Sequence, residues 1–400
     1  MKKTTVLLGL FLYLISSVSC RFSKIDEPRA NHSLVIPISN FSKDSVVKAS
    51  TYFQRARVIP LETSDRCLLT KIVKVVPYKN NLYVLDLQNQ SGVFCFDMNG
   101  KFIKIIGNQG GGSQEHTSLN DFSIDTESGL IYLNNRERQR ILVFTEKGEY
   151  VKSIPVNGYF DKTEVFNQHL YMANHGADKN SYDVIVSNLE GKIMQRYFPS
   201  QPDKVPTVPQ FIKTNRDIYY YPNRMQDSVY SLTLGIPSCF VYADYGEHAI
   251  KRREWEKIMD VVYASSHPFW ETVFQNDYIG GFLSSAIFDN LIILNFVYRV
   301  DGSWMAFYEK PKNRTVVTIR FIDDLGFLGF KQIISQTDNQ LICTNWEINL
   351  DLMAKSIHEF WTKERYVTRE EAEKGIARLD ALRSRLTEDS NPVVVIYDLK

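Results

Sequence analysis

Cysteine is scarce in this chain, with five in 400 residues. Cys67, Cys95, Cys239 and Cys343 are scattered, and no pair has the CxxC or Cys/His spacing of a structural metal site. Three of these four lie inside apolar strand patterns, so their placement suits buried free thiols as well as disulfides. Charge of one sign is missing too. The 47 basic and 46 acidic residues nearly cancel, and nothing marks a nucleic-acid or anionic-membrane binder. Beyond the N-terminus no apolar run is long enough to cross a bilayer. Signatures of catalysis are also lacking. The stretch from Gly107 to Gly112 is rich in glycine but has no Gly-Lys-Ser/Thr and does not open a helix, which excludes a nucleotide loop. His169 and His175 are separated by a strand, which holds them too far apart to chelate one ion easily. No catalytic residue, metal or cofactor is expected from the sequence.

What is present begins with a leader. Lys2 and Lys3, an apolar run from Val6 to Ile15, and the small residues Ser16, Ser17 and Ser19 make residues 1–19 a secretory signal, too short to span a membrane. Ser17-Val18-Ser19-Cys20 resembles a bacterial lipobox, which implies a lipid on Cys20 at the mature N-terminus. Ser17 stands where such motifs usually carry Leu, and plain cleavage before an unmodified Cys20 is the alternative. Arg21-Phe22-Ser23-Lys24 lacks an acidic run like that of surface-export signals. The expectation is an exported outer-membrane lipoprotein facing the periplasm, with residues 20–45 as tether and the lipid as its only contact with membrane.

The rest of the chain repeats itself. Leu82-Tyr83-Val84-Leu85-Asp86 followed by Val93-Phe94-Cys95-Phe96-Asp97 recurs as Ile131-Tyr132-Leu133-Asn134-Asn135 followed by Ile141-Leu142-Val143-Phe144. Equivalent strands start at Leu82, Ile131, Leu170, Ile218, Leu291 and Leu341. A unit of roughly 40 to 50 residues that reads as four strands is the signature of a β-propeller blade, and the long interval from Ile218 to Leu291 implies an insertion. Asn99-Gly100, Lys147-Gly148 and Glu190-Gly191 mark the turns before the fourth strands. The sixth unit lacks a fourth strand of its own; the segment from Arg55 to Leu61 matches the pattern of Phe102 to Ile106 and is expected to complete it. The fold class is thus all-β, a six-bladed β-propeller over residues 46–400 closed by an N-terminal strand, which removes open sheet edges.

The stretches Ile59-Pro60-Leu61-Glu62-Thr63, Leu82 to Asp86, Phe96 to Phe102, Gly107 to Glu115 and Asn391-Pro392-Val393 resemble the six-bladed β-propeller lipoproteins related to NHL repeats of Gram-negative envelopes. The connector reads Gly112-Ser113-Gln114-Glu115 where that family usually has Gly-Pro-Gly-Glu. The resemblance implies the fold and an envelope location, and no particular activity.

Two segments break the strand pattern, at about 249–268 and 350–388. In the first, Trp255, Ile258 and Val262 fall at helical spacing. In the second, Met353, Ile357, Phe360 and Trp361 mark one helix, and Thr368-Arg369-Glu370-Glu371 is a capping box opening another, striped by Ile376, Leu379, Leu382 and Leu386. Within a blade, second-to-third turns and blade-to-blade connectors emerge on one face of the disc. Both helical insertions and the Gly107 to Ser118 connector therefore belong to the same face, and insertions gathered on one side of a repeat protein commonly build its binding surface.

That face also carries Asp86, Asn135, Asn174, Asn223 and Asn345 at the ends of second strands, with Asn295 a looser match. They form either a polar collar for a ligand or turn-starters bonded to their own backbone. Arg136 and Arg138 could pair with an anion or simply be a solvated rim. Trp270, like Trp304, Trp346 and Trp361, could stack a sugar or pack in a core. The leading expectation is a non-catalytic module that binds a small molecule, glycan or envelope protein through this face. A lyase or hydrolase with its site at the channel mouth is the alternative, and a part of an envelope assembly a third.

Overall fold

The computed structural model describes residues 34–400 except 40, 175–181, 201–209, 223–226, 234, 300–301, 331, 347, 388 and most of 252–274. Six antiparallel sheets follow one another along the chain and form the six blades of a β-propeller. Blade 1 comprises Ile72–Tyr78, Asn81–Asp86, Val93–Asp97 and Phe102–Ile106; blade 2 comprises Asp121–Ile124, Ile131–Asn135, Arg140–Phe144 and Tyr150–Pro155. Blade 3 contains Lys162–Phe166, His169–Ala173, Tyr182–Asn188 and Ile193–Pro199, and blade 4 Gln210–Lys213, Ile218–Tyr221, Ser228–Ser231 and Ser238–Asp244. Blade 5 runs through Ile279–Ile287, Leu291–Tyr298, Ser303–Glu309 and Arg314–Thr318. Blade 6 takes Gln332–Gln336, Gln340–Asn345 and Val393–Leu399 from one end of the chain and Phe53–Pro60 from the other.

The second and third strands of the blades are apolar along almost their whole length because both faces of each sheet pack against a neighbouring blade. Leu82, Val84, Phe94 and Phe96 of blade 1 bury against Ile342, Val394 and Ile396 of blade 6, while Tyr83, Leu85 and Cys95 bury against Phe122, Leu133 and Leu142 of blade 2. Most positions of the outermost strands are half-buried or exposed, because these strands form the rim of the disc. The expected closure holds: Phe53–Pro60 pairs antiparallel with Val393–Leu399, from Pro60 opposite Val393 to Phe53 opposite Leu399. Gly100, at φ +84°, sits so close that a Cβ there would lie 2.0 Å from the Pro60 carbonyl oxygen, and Glu62 N–H bonds to the Gly100 carbonyl at 2.7 Å. Asn391 welds the same corner. Its side-chain amide donates to the Glu62 and Cys67 carbonyls, each at 2.7 Å, and accepts from Leu69 N–H at 2.7 Å.

Two features correct the sequence-based expectation. Within the segment expected to be a bare tether, Leu34–Pro37 adds a parallel fifth strand to the outer edge of blade 4, and Ile36 and Ile38 are buried there. The chain then runs on as a strap: Val46–Lys48 pairs parallel with Arg320–Ile322, Ser50 bonds to the Asp324 carboxylate at 2.8 and 2.5 Å, and Tyr52 stacks on Phe307. Four residues with one buried alternation are too short a pattern to read as a strand. The second correction lies in the blade 6 insertion. Leu350–Lys355 is α-helical, but Ser356–Trp361 winds as a π-helix, which turns Phe360 out to solvent while Ile357 and Trp361 are buried. The helix Arg369–Arg383 begins with the expected capping box: Thr368 accepts from Glu371 N–H, and the Glu371 carboxylate accepts from Thr368 N–H. The first insertion lies largely outside the described residues. Among the described residues Cys67, Cys95, Cys239 and Cys343 form no disulfide.

Candidate functional site

The faces of the disc differ. One, here called the plain face, carries short first-to-second and third-to-fourth turns. The other, the decorated face, carries the connectors and the Leu350–Arg383 insertion. The Gly-rich connector there is a compact loop: Glu115 folds back to accept from Gly112 N–H at 2.7 Å, and Arg140 donates to the carbonyls of Gly112 and Glu115 at 3.1 and 2.7 Å. His116 is buried beneath it, 2.8 Å from the Gln90 carbonyl, and burial pushes its pKa down.

The second-strand polar residues do reach the decorated face, and their side chains turn inward. Asp86 is fully buried and accepts four backbone N–H groups, from Thr70, Lys71, Gln88 and Asn89, at 2.5 to 2.8 Å. Asn135 accepts from the Thr117 hydroxyl at 3.2 Å, and Asn174 donates to the Tyr182 carbonyl at 2.9 Å. Asn295 accepts from the Ser303 hydroxyl at 2.5 Å, and Asn345 donates to the Leu328 carbonyl at 3.3 Å. These bonds organise the second-to-third turns and tie the ends of the second strands to the blade-to-blade connectors beside them. Arg136 is half-buried, 3.0 Å from the Asp161 carboxylate with its guanidinium over the Tyr159 ring, while Arg138 is exposed. Asn223, Trp270 and the lipid candidate Cys20 lie outside the described residues.

What the decorated face offers instead is apolar. Leu68, Leu87, Tyr159, Trp346, Leu352 and Phe360 are 40 to 59% exposed, and each sits in a connector, at the end of a second strand or in the insertion. Five of the six belong to the adjoining blades 6 and 1, where Asn89 ties the Leu87 turn to the Leu68 carbonyl at 2.8 Å. Among the described residues the plain face has Ile236 alone of this class, and the remaining exposed large apolar side chains, Val35, Ile103, Val151 and Met194, lie in edge strands. Single exposed apolar residues are ordinary; a group on one face is informative.

The axis holds charges that sequence reasoning missed. First strands of blades 1 to 4 bring together Lys74, Asp121, Glu164 and Lys213. Lys74 Nζ lies 2.5 Å from Glu164 Oε1 and 3.2 Å from Asp121 Oδ1; Lys213 Nζ lies 3.2 Å from Glu164 Oε2, which also accepts from Ser123 at 2.6 Å. Burial pushes the Glu164 pKa up, but the two ammonium groups outweigh it and hold it at about 2. Burial likewise opposes the charge of Lys74, and Asp121 with Glu164 overcomes it and raises its pKa. A cavity of about 100 Å³ beside the cluster is lined also by Gln210, Ser285, Ser335 and Gln336. Its charges are matched within the protein, so the cluster acts as an ionic plug joining blades. A larger cavity, of about 270 Å³, opens near Tyr52, Lys312, Arg314 and Lys400, where the buried Glu309 carboxylate already takes up Lys312 at 2.6 Å and Arg314. Among the described residues no three His, Cys, Asp or Glu side chains gather to hold a metal ion. No helix of the described residues is long and apolar enough to cross a membrane.

The comparisons with known proteins agree with this architecture. A family model described as "Domain of unknown function (DUF4934)" matches residues 33–398, which takes in Leu34–Pro37. The structure is similar to that of a protein of Bacteroides fragilis NCTC 9343 described as exported, with a TM-score of 0.70 at 14% identity, covering 92% of this chain and 100% of that one. It also matches a member of the duf4221 family from Bacteroides vulgatus, with a TM-score of 0.47 at 10% identity, covering 87% of this chain and 97% of that one. No curated protein matches the chain.

Proposed function

The chain belongs to the DUF4934 family, and from that premise we propose that it is an exported, lipid-tethered member of the NHL-like envelope propellers. In this reading it acts as a non-catalytic module that binds an envelope protein through its decorated face. The observation that carries this is the one-sided distribution of exposed apolar side chains around Trp346, Leu352 and Phe360 on blade 6 and Leu68 and Leu87 on blade 1. Apolar surface grouped beside charged helix positions is what a partner interface requires, since its buried centre must leave water while its rim remains solvated. The inward-turned Asp86 and Asn135 are engaged with their own turns and the adjoining connectors, which moves recognition from a polar collar to this apolar ground. The leader and the Ser17-Val18-Ser19-Cys20 motif support export and lipidation, and the exported description of the Bacteroides fragilis protein is in keeping with them.

The test uses the full chain in intact cells. A photo-crosslinking residue placed at Leu352 or Phe360 is expected to trap a discrete partner, and the same residue at Ile236 on the plain face is not. Equal patterns from the two faces, or crosslinks from Ile236 alone, overturn the assignment of the face. Palmitate labelling that persists in Cys20→Ser would overturn the tether separately.

A further inference from the structure

The longest blade-to-blade connector leaves blade 4 after Asp244 and rejoins the ring at Ile279. Its two ends meet at its root. His248 Nδ1 lies 3.1 Å from the Asp277 carbonyl oxygen and 3.4 Å from that residue's carboxylate. Arg299 donates to the same carboxylate and lies over the Tyr298 ring at 5.0 Å, and the Tyr298 hydroxyl is 3.3 Å from the His248 ring. One side chain from elsewhere in the chain closes this group. Phe41, on the strap between its docks at Leu34–Pro37 and Val46–Lys48, packs edge-on against His248 at 5.2 Å. Its ring also lies 4.4 Å from Tyr298, 5.5 Å from Trp304 and 6.3 Å from Phe296. Tyr298, Trp304 and Phe296 are buried members of blade 5, and Ile36 and Ile38 share their core cluster.

We propose that Phe41 is a positioning residue: by seating in this aromatic pocket, the N-terminal strap fixes the contact between His248 and Asp277 at the root of the 245–278 connector. The ring is already closed by Phe53–Pro60, so the strap upstream of residue 46 is not needed for closure. It bridges blades 4 and 5, the pair joined by this longest connector. His248 stands four residues after the last strand of blade 4 and Asp277 two before the first of blade 5, so a clamp on their contact acts on both ends of the connector at once.

The experiment is hydrogen exchange on the full exported chain, comparing wild type with Phe41→Ala and Phe41→Leu. Aromatic pairs stabilise beyond the area they bury, and local opening governs exchange. The Ala variant is therefore expected to exchange about tenfold faster at 244–251 and 276–282, with blades 1 and 2 unchanged. Leu, which refills much of the pocket, should restore most of that protection. Faster exchange confined to 34–48 would overturn the proposal, because the strap would then come loose without consequence for the connector. Faster exchange throughout the molecule in both variants would overturn it too, since Phe41 would then be a general core residue.

Discussion

Replacing Glu164 with Gln tests the ionic plug at the axis. The substitution keeps the shape of the side chain and its bond from Ser123 but removes the charge that faces Lys74 at 2.5 Å and Lys213 at 3.2 Å. Two ammonium groups are then left in the interior with Asp121, beside Lys74, as the one carboxylate paired with either among the described residues, and breaking a buried pair by removing one partner typically costs about 3–5 kcal/mol. The pKa gives a second route to the magnitude. Glu164 sits at about 2 in the folded protein against roughly 4.3 in an unfolded chain, and at 1.36 kcal/mol per unit this is about 3 kcal/mol. A depressed carboxyl pKa contributes stability that is fully present above the unfolded value and is lost as pH falls through the folded one. The wild-type advantage over Glu164→Gln should therefore be near its full size at pH 7 and shrink between about pH 4 and pH 2. Urea unfolding of both proteins at a series of pH values, followed by intrinsic fluorescence, measures this directly. Equal stabilities at pH 7, or a difference that does not shrink in acid, would refute the claim that the cluster is electrostatically coupled.

Two further substitutions probe the corners that set the ring. Asn391→Ala removes three side-chain bonds between the chain termini and leaves buried backbone groups unpaired, so a loss of about 2–4 kcal/mol is expected in denaturant unfolding. Gly375→Ala improves intrinsic helix propensity yet brings a Cβ to 2.2 Å from Phe327 Cδ1; a net destabilisation of about 1–3 kcal/mol in thermal unfolding is expected, where propensity alone would give a gain.

The first three blades were legible in sequence because their second and third strands are rich in Val, Ile, Leu, Phe and Tyr and an Asn-Gly, Lys-Gly or Glu-Gly turn precedes the fourth strand, and the unpaired sixth unit left Arg55 to Leu61 as the natural fourth strand. Where a local signal competed with a non-local one, sequence reading stopped. Phe360 falls on an apolar helical stripe if the helix keeps 3.6 residues per turn, and the π-wound Ser356–Trp361 breaks that count. Leu34–Pro37 gains its identity only from the blade 4 edge it joins. Asp86 and Asn135 were placed on the correct face, but their direction depends on which backbone groups lie beneath them. Lys74, Asp121, Glu164 and Lys213 left one unused signal: a charged residue in the first strand of four successive units, which in a propeller places all of them at the axis.

The parallel pairing of Leu34–Pro37 with Ser238–Asp244 also gives the molecule a heading. Ser238–Asp244 climbs from the plain face to the decorated one, so Leu34–Pro37 climbs the rim in the same direction. Fourteen steps of backbone, reaching at most about 50 Å, separate Cys20 from Leu34. A pull along the N-terminal chain therefore enters at Leu34, the end of that strand farther from the face that carries Trp346, Leu352 and Phe360.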